Sequence, residues 1–439
     1  MSNKITINNK IKSFSKKINV SGDKSLSIRW VLFSSLANGK SKAKNLLMSE
    51  DVLAAINAIK ILGIRVVIKK NECEIFGKGI NGFKYKKNLK INAKNSGTLG
   101  RLILGLLVNS PFSIKLVGDK SLSKRDFKRV SDPLSKFGAK FILKNSKNLP
   151  LEICGNKNLK PIYYNEKKGS AQCKSAVILA GMRTEGITII KAKKSRNHTE
   201  LLSKYLKLPI KIKIKKNYDL IKVKKVNKIK KINYKIPSDI SSSAFFMVLT
   251  ALTKDAKLTI KNVNINSSRT GIITILKKMG VTIKYQNKKI YKGEKLADII
   301  IKNPKFIKPI KCPTKYNSFA IDEFLIIFLV AAKAKGVSTF KDIGELNQKE
   351  SPRLTWGNKI LNSIGIKTIL TKNSIKIFGD PNIKVEKKII IKNFLKDHRV
   401  FMTSVIAGLT FGGVWEIHDK SSIKTSFPNF LKIINELKK

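Results

Sequence analysis

The stretch AIKILGIRVVIKKNECEIFG (Ala58 to Gly77) reads as the end of a helix, a stop at Gly63, and two short strands around a polar turn. The same order returns as PLSKFGAKFILKNSKNLPLEICG, LLSKYLKLPIKIKIKKNYDLIKV, ILKKMGVTIKYQNKKIYKG and ILNSIGIKTILTKNSIKIFG. The stops are Gly63, Gly138, Pro209, Gly280 and Gly365, at intervals of 75, 71, 71 and 85 residues. Glycine suits a left-handed helix exit, and proline also ends a helix. A sixth helix, FPNFLKIINELKK, closes the chain without its strands, while KITINNKIKSFSKKINV opens it with two strand-like runs and no helix. The economical expectation is that the N-terminus completes the sixth unit. Six α/β units then form two domains of three, 20–238 and 1–19 with 239–439, the chain crossing back at KIPSDISSSAFF. A ligand is expected in the cleft between two such domains.

A chain of 439 residues is long for one core, and 42% apolar residues spread along it are ample for two. A formal charge of +62 would suggest a polyanion partner. The lysines, however, fall singly and in pairs in nearly every segment, aromatics are only 8%, and the densest basic stretch alternates with apolar residues as solvent-facing strands do. Nucleic-acid binding is therefore disfavoured. Cys73, Cys154, Cys173 and Cys312 form no CxxC pair, and His198, His398 and His418 lack metal-ligand spacing, so neither a disulfide framework nor a metal site is expected. The longest apolar run, Phe324 to Ala332, is too short to span a bilayer, and no signal-peptide core opens the sequence. A soluble, cytoplasmic protein is expected. Neither GxGxxG nor GxxxxGK[ST] occurs, which argues against Rossmann and P-loop nucleotide sites.

Of 90 Lys and Arg residues only ten are Arg: 29, 65, 101, 125, 129, 183, 196, 269, 353 and 399. In so lysine-rich a chain, a retained arginine suggests a place that needs the planar, two-pronged guanidinium. Several stand in Ser- or Gly-rich words: KSLSIR, NSGTLGR, KSLSKR, KESPR and KDHR. Such words fit anion sites at helix starts, and they also fit plain helix caps. The word GDKSLS occurs twice, at Gly22 and Gly118, each copy leading to an arginine at the same spacing (Arg29, Arg125). Carboxylates are scarce, so Asp322 and Glu323 at the head of a buried helix, and Glu350 between Lys349 and Arg353, are candidates for proton transfer or for simple capping and pairing.

Taken together and in order, SGDKSLSIRWVLFSSLANGKSKAKNLLMSEDV, NSGTLGRLILGLL, GDKSLSKRDFKRVSDPLSKFGA, GSAQCKSAVILAGM, SRNHTELL, IDEF, QKESPRL and DHRVFM resemble the EPSP synthase family of enolpyruvyl transferases over almost the whole chain. The resemblance implies two domains of three α/β units (the inverse α/β barrel) with the active site in the interdomain cleft. It implies transfer of the enolpyruvyl group of phosphoenolpyruvate to the 5-hydroxyl of shikimate 3-phosphate, with release of phosphate and no cofactor. Lys24, Ser25, Arg29, Ser170, Ala171, Gln172, Arg196, Asp322 and Lys349 would hold shikimate 3-phosphate. Lys24, Gly97, Arg125, Gln172, Arg353 and Arg399 would hold phosphoenolpyruvate. Asp322 would accept the hydroxyl proton, and Glu350, with Lys24, would protonate the methylene carbon of phosphoenolpyruvate.

Pro352 stands where the family usually has Asp, bulky Phe401 where a small residue is common, and Lys424 one position away from a ligand lysine of some members. The nearest rival is the related transferase that uses UDP-N-acetylglucosamine. Many of its members carry a cysteine in the loop matching GDKSLSKR, where this chain has none. A lysine-rich nucleic-acid-binding protein is the rival of another class, and a monomer acting on small molecules is the expected form.

Overall fold

Residues 89–154 show how one repeat is built. Strand Leu89–Asn92 leads into helix Gly97–Leu107, strand Ile114–Val117, helix Lys128–Ser135 and the hairpin of Lys140–Lys144 with Asn148–Cys154. The first two strands are parallel, with Ile91 opposite Leu116, and the hairpin adds antiparallel strands, with Leu116 opposite Leu151. Along Asn148–Cys154 the alternate residues Leu149, Leu151 and Ile153 are buried, the period of a strand with one face on a core.

This computed structural model describes residues 3–69 and 72–439. Among them the same four-strand order occurs in five sheets, and a sixth sheet has three strands. Two units result: unit I is Gly22–Ile236 with Lys292–Glu294, and unit II is Met1–Ser21, Pro237–Tyr291 and Lys295–Lys439. The sheets remain open rather than closing into barrels.

The helix exits follow from backbone geometry. Gly63, Gly138, Gly280 and Gly365 have φ of 85°, 107°, 94° and 88°, where a side chain would be strained. In the third repeat the left-handed residue is Lys207 (φ 54°), not the expected Pro209. Leu208 N donates to Ser203 O there, as Ile64 N does to Ile59 O in the first repeat, so the helix is closed before the proline arrives.

The N-terminus does not complete one unit, as expected, but serves two. Strand Ile5–Ile7 pairs antiparallel with Val414–Ile417 in the three-stranded sheet, whereas Ser15–Ile18 runs parallel to Lys257–Asn264 in another sheet of unit II. In unit I, Tyr234–Lys235 likewise pairs with Asn38–Lys44, far earlier in the chain. Each of these edge strands therefore completes a sheet whose lead helix does not follow it in sequence.

The helix between the first two strands of each repeat is the lead helix, and it is nearly all core. All 9 residues of Phe324–Ala332, all 14 of His398–Phe411 and 12 of the 13 in Ile240–Leu252 are buried, as expected of helices apolar on every side. These three pack against one another in unit II. Phe427 and Phe430 from the C-terminal segment meet Phe246 and Phe245 edge-on at 5.9 and 5.8 Å, contacts contributing about 0.5–1.5 kcal/mol each beyond area burial. In unit I the lead helices Gly97–Leu107 and Ala171–Gly181 touch so closely that a Cβ on Gly105 would lie 2.2 Å from the Ala176 carbonyl oxygen. Helices inside and sheets outside make this an inverse α/β arrangement, and the lead-helix N-termini gather the polar words of the sequence.

Candidate active site

In unit I the lead helices begin at Lys24, Gly97 and Ala171. Their caps accept from the first turn: Asp23 Oδ1 from Leu26 N (2.9 Å), Ser96 Oγ from Leu99 N (3.3 Å) and Ser170 Oγ from Cys173 N (3.3 Å). The repeated word thus works through its aspartate. In the second copy Asp119 Oδ1 accepts from Leu122 N at 2.8 Å, but only the short 3-10 turn Leu122–Lys124 follows. The first copy runs on into apolar IRWVLFSS and the second into charged KRDFKRV, which has no long face to bury.

Arg29 lies one turn into its helix and is buried. Its Nε donates to Thr199 Oγ1 (2.8 Å), Nη2 to Ser175 Oγ (3.1 Å) and Nη1 to the Ser25 carbonyl (3.0 Å), all neutral acceptors. Burial pushes its pKa down to about 10, partly offset by Glu200 and Asp23, so it stays cationic near neutral pH. Lys24 Nζ meets Asp51 at 2.9 Å. Below this surface Lys174 and Glu200 form a buried pair at 2.6 Å, and His198 pairs with Glu294 at 2.7 Å. Arg196 stands just ahead of helix His198–Tyr205.

Gly97, Arg125 and Gln172 are brought together. A Cβ on Gly97 would lie 2.9 Å from Arg101 Nη1 and 3.0 Å from Arg125 Nη1, so the missing side chain is the room the two guanidiniums occupy. Arg125 Nη2 donates to Asn95 Oδ1 at 3.3 Å. Arg101 Nη1 donates to Gln172 Oε1 (2.8 Å) and to the Gly97 carbonyl (3.3 Å), and Gln172 Nε2 donates to Thr98 Oγ1 (2.9 Å).

In unit II the lead helices begin after Asp239, Glu323 and Asp397, so every cap is acidic. Asp397 is fully buried: its Oδ2 accepts from Ser351 N, Ser351 Oγ and Arg353 Nε (3.2, 2.9 and 2.9 Å), and its Oδ1 from Arg399 N and Arg353 Nη2 (2.9 and 3.2 Å). Arg353 also pairs with Glu350, and its Nη1 reaches Asp322 Oδ1 at 3.5 Å, where Lys349 Nζ meets the same oxygen at 3.5 Å. Arg399 Nη1 donates to the Asp322 carbonyl (2.6 Å) and lies 3.9 Å from Glu323 Oε1. Ser241 links Glu323 onward to Arg269, which donates to Ser241 Oγ at 2.7 Å and to the Asp239 cap at 3.3 Å.

Opposing effects set the protonation of this cluster. Burial alone would lower the Arg353 pKa, but the carboxylates of Asp397 and Glu350 carry it above the ordinary arginine value. Burial would raise Asp397, and the Arg353 guanidinium outweighs it, holding the carboxyl below its usual range. Both groups are ionised at neutral pH.

Asp322, Lys349, Glu350, Arg353 and Arg399 thus form one cluster, while Lys24, Ser25 and Arg29 share one helix and Ser170, Ala171 and Gln172 open another. Pro352 is the cap residue of helix Arg353–Ser363, with its carbonyl accepting from Trp356 N at 2.9 Å, so the departure at this position falls at a helix start. Phe401 is core, and Lys424 is exposed on a 3-10 turn. The sequence words contained Asp397 without a role for it, and Arg101 only as one of the retained arginines. The signal for Asp397 was its place directly before a long apolar run, and for Arg101 its survival as arginine. Among the described residues no group of three or more His, Cys, Asp or Glu is placed to hold a metal, and no helix is long and apolar enough to cross a membrane.

Inverse α/β repeats whose lead-helix N-termini present guanidiniums, lysines and carboxylates define an enzyme that grips anionic small molecules and moves protons on them. The model of the family described as EPSP synthase (3-phosphoshikimate 1-carboxyvinyltransferase) matches residues 8–434. A 3-phosphoshikimate 1-carboxyvinyltransferase of Ruthia magnifica is 39% identical over 430 residues, covering 97% of this chain and 96% of that one. One of Petrotoga mobilis is 36% identical over 425 residues, 96% of each. The solved EPSP synthase of Acinetobacter baumannii matches with a TM-score of 0.85 at 35% identity, over 98% of this chain and 97% of that one. The enolpyruvyl transferase NikO of Streptomyces tendae shares the fold at a TM-score of 0.76, with 13% identity. The chain belongs to the EPSP synthase family. Its reaction is enolpyruvyl transfer from phosphoenolpyruvate to shikimate 3-phosphate, a step of aromatic amino acid biosynthesis.

Proposed function

We propose that Asp322 and Glu350, with Lys24, carry the proton transfers of this reaction, and that the arginines divide between its two substrates. Lys24, Ser25, Arg29, Ser170, Ala171, Gln172, Arg196, Asp322 and Lys349 bind shikimate 3-phosphate. Lys24, Gly97, Arg125, Gln172, Arg353 and Arg399 bind phosphoenolpyruvate. Asp322 takes the proton of the 5-hydroxyl as its oxygen attacks C2 of phosphoenolpyruvate, and Glu350, with Lys24, delivers a proton to C3. The tetrahedral adduct then loses a C3 proton and expels phosphate, restoring the enol ether.

The observation that carries this reading is the crowding of two carboxylates onto one guanidinium. Asp322 and Glu350 both contact Arg353, which ties the proposed base and acid to a phosphoenolpyruvate-binding residue.

Purified protein given phosphoenolpyruvate and shikimate 3-phosphate should release phosphate, and given UDP-N-acetylglucosamine instead it should not. Asp322→Asn should lower kcat by roughly 10²- to 10⁴-fold, the usual worth of general base catalysis. Phosphate release only with the UDP-sugar, or an unchanged kcat in the variant, overturns the reading.

A further inference from the structure

We infer that Arg101 is a positioning residue that fixes which end of the Gln172 amide faces the ligands, an inference that rests on the phosphoenolpyruvate-binding role proposed for Gln172. A guanidinium has only donors, so the atom 2.8 Å from Arg101 Nη1 must be the amide oxygen. The Thr98 hydroxyl on the other side could donate or accept and imposes nothing by itself. With Oε1 held by Arg101 and one Nε2 hydrogen on Thr98, the second Nε2 hydrogen is the group left to present. A phosphate or carboxylate oxygen needs that donor, and a flipped amide would offer it a repelling carbonyl.

The same fork spaces three ligand-bearing segments. Beyond Gln172 it donates to the Gly97 carbonyl at 3.3 Å, at the first residue of the neighbouring lead helix, and Nη2 donates to the Asp126 carbonyl at 3.2 Å, next to Arg125. Its guanidinium carbon lies over the Phe127 ring, 5.0 Å from the centroid, within cation–π range. One guanidinium therefore sets the separations of Gly97, Arg125 and Gln172. A lysine keeps the charge and a donor at a single point, without a plane to share among three partners.

The test is a double-mutant cycle of Arg101→Met with Gln172→Ala, with Arg101→Lys as the conservative variant, read as the KM for phosphoenolpyruvate, kcat and Tm. Arg101→Met should raise that KM by about tenfold or more while changing kcat less, since an ångström of misplacement carries effects of this size. Arg101→Lys should recover part of the loss by restoring a donor toward Oε1. In the Gln172→Ala background, Arg101→Met should add little, because the amide through which it acts is gone. Additive effects, an unchanged KM, or failure of both Arg101 variants to fold would overturn the inference, the last by making the residue one of the fold alone. Wild-type protein that releases no phosphate from shikimate 3-phosphate and phosphoenolpyruvate would instead sink the underlying reading, and this inference with it.

Discussion

The two units solve the same helix-start problem with different cap chemistry, wholly acidic in one and mostly neutral in the other. Unit II caps its three lead helices with Asp239, Glu323 and Asp397, and sets Arg269, Arg399 and Arg353 against them. Unit I uses Asp23, Ser96 and Ser170, and its buried Arg29 hydrogen-bonds to two hydroxyls and a carbonyl. The guanidiniums respond accordingly: Arg353 is pushed above its ordinary pKa by carboxylates, Arg29 below it by burial. A cation matched by neutral acceptors keeps its charge for a ligand. A cation matched by carboxylates is already paired, and the Arg353 guanidinium holds the Asp397 carboxylate ionised and in place. The same repeat thus surrounds Arg29 with neutral acceptors and Arg353 with carboxylates, and the Lys24–Asp51 pair is an element of the second kind within unit I.

The largest expected effect comes from removing the hub of the acidic set. Asp397→Asn leaves the buried Arg353 charge short of its partner, and breaking such a pair costs about 3–5 kcal/mol, measurable by urea denaturation. The pH dependence has a definite sign. Because the folded-state pKa of Asp397 is depressed, its stabilisation is complete above the unfolded carboxylate value of about 3.9 and is lost as pH falls through the lower folded value. Asp397→Asn should therefore flatten the acid limb of the stability profile. An acid limb of unchanged steepness would break the contrast between the units.

A smaller effect is expected at Arg29 of unit I, whose hydrogen-bond partners are neutral. Thr199→Val takes the acceptor from Arg29 Nε and should cost about 1–3 kcal/mol, the range for a buried donor left unsatisfied. With the fork no longer held on that side, the KM for shikimate 3-phosphate should rise while the KM for phosphoenolpyruvate stays near wild type. A loss as large as that of Asp397→Asn, or one shared by both substrates, would show that the neutral clamp is no gentler than the ionic one.

What the sequence made legible is what local chemistry decides. Gly63, Gly138, Gly280 and Gly365 were readable because a left-handed helix exit selects glycine. Lys207 was not, since a lysine in that conformation carries no mark and Pro209 two residues on supplied a louder stop. The pairing of Ile5–Ile7 and Ser15–Ile18 with different sheets could not be read from their alternation, because a strand's pattern states which face is buried and says nothing about which strand lies beside it. The site divides the same way. Capping words and retained arginines stood out, but the bonds from Arg101 to Gln172 and from Arg353 to Asp397 join residues 71 and 44 positions apart, and no short word encodes them.

The smallest expected effect separates capping from ligand binding at the serines of unit I. Ser96→Ala and Ser170→Ala each remove one side-chain cap, and each should cost about 1 kcal/mol of stability. If both serines were caps and nothing more, the two variants would be kinetically alike. Ser170 is also among the proposed shikimate 3-phosphate residues, and a hydroxyl that accepts from Cys173 N still has its own hydrogen to donate to a phosphate oxygen. Ser170→Ala alone should therefore raise the KM for shikimate 3-phosphate by about tenfold, as expected for a hydrogen bond to a charged group. Equal KM values in the two variants would return Ser170 to a purely structural role and leave the anion site of unit I to Lys24, Ser25, Arg29, Gln172 and Arg196.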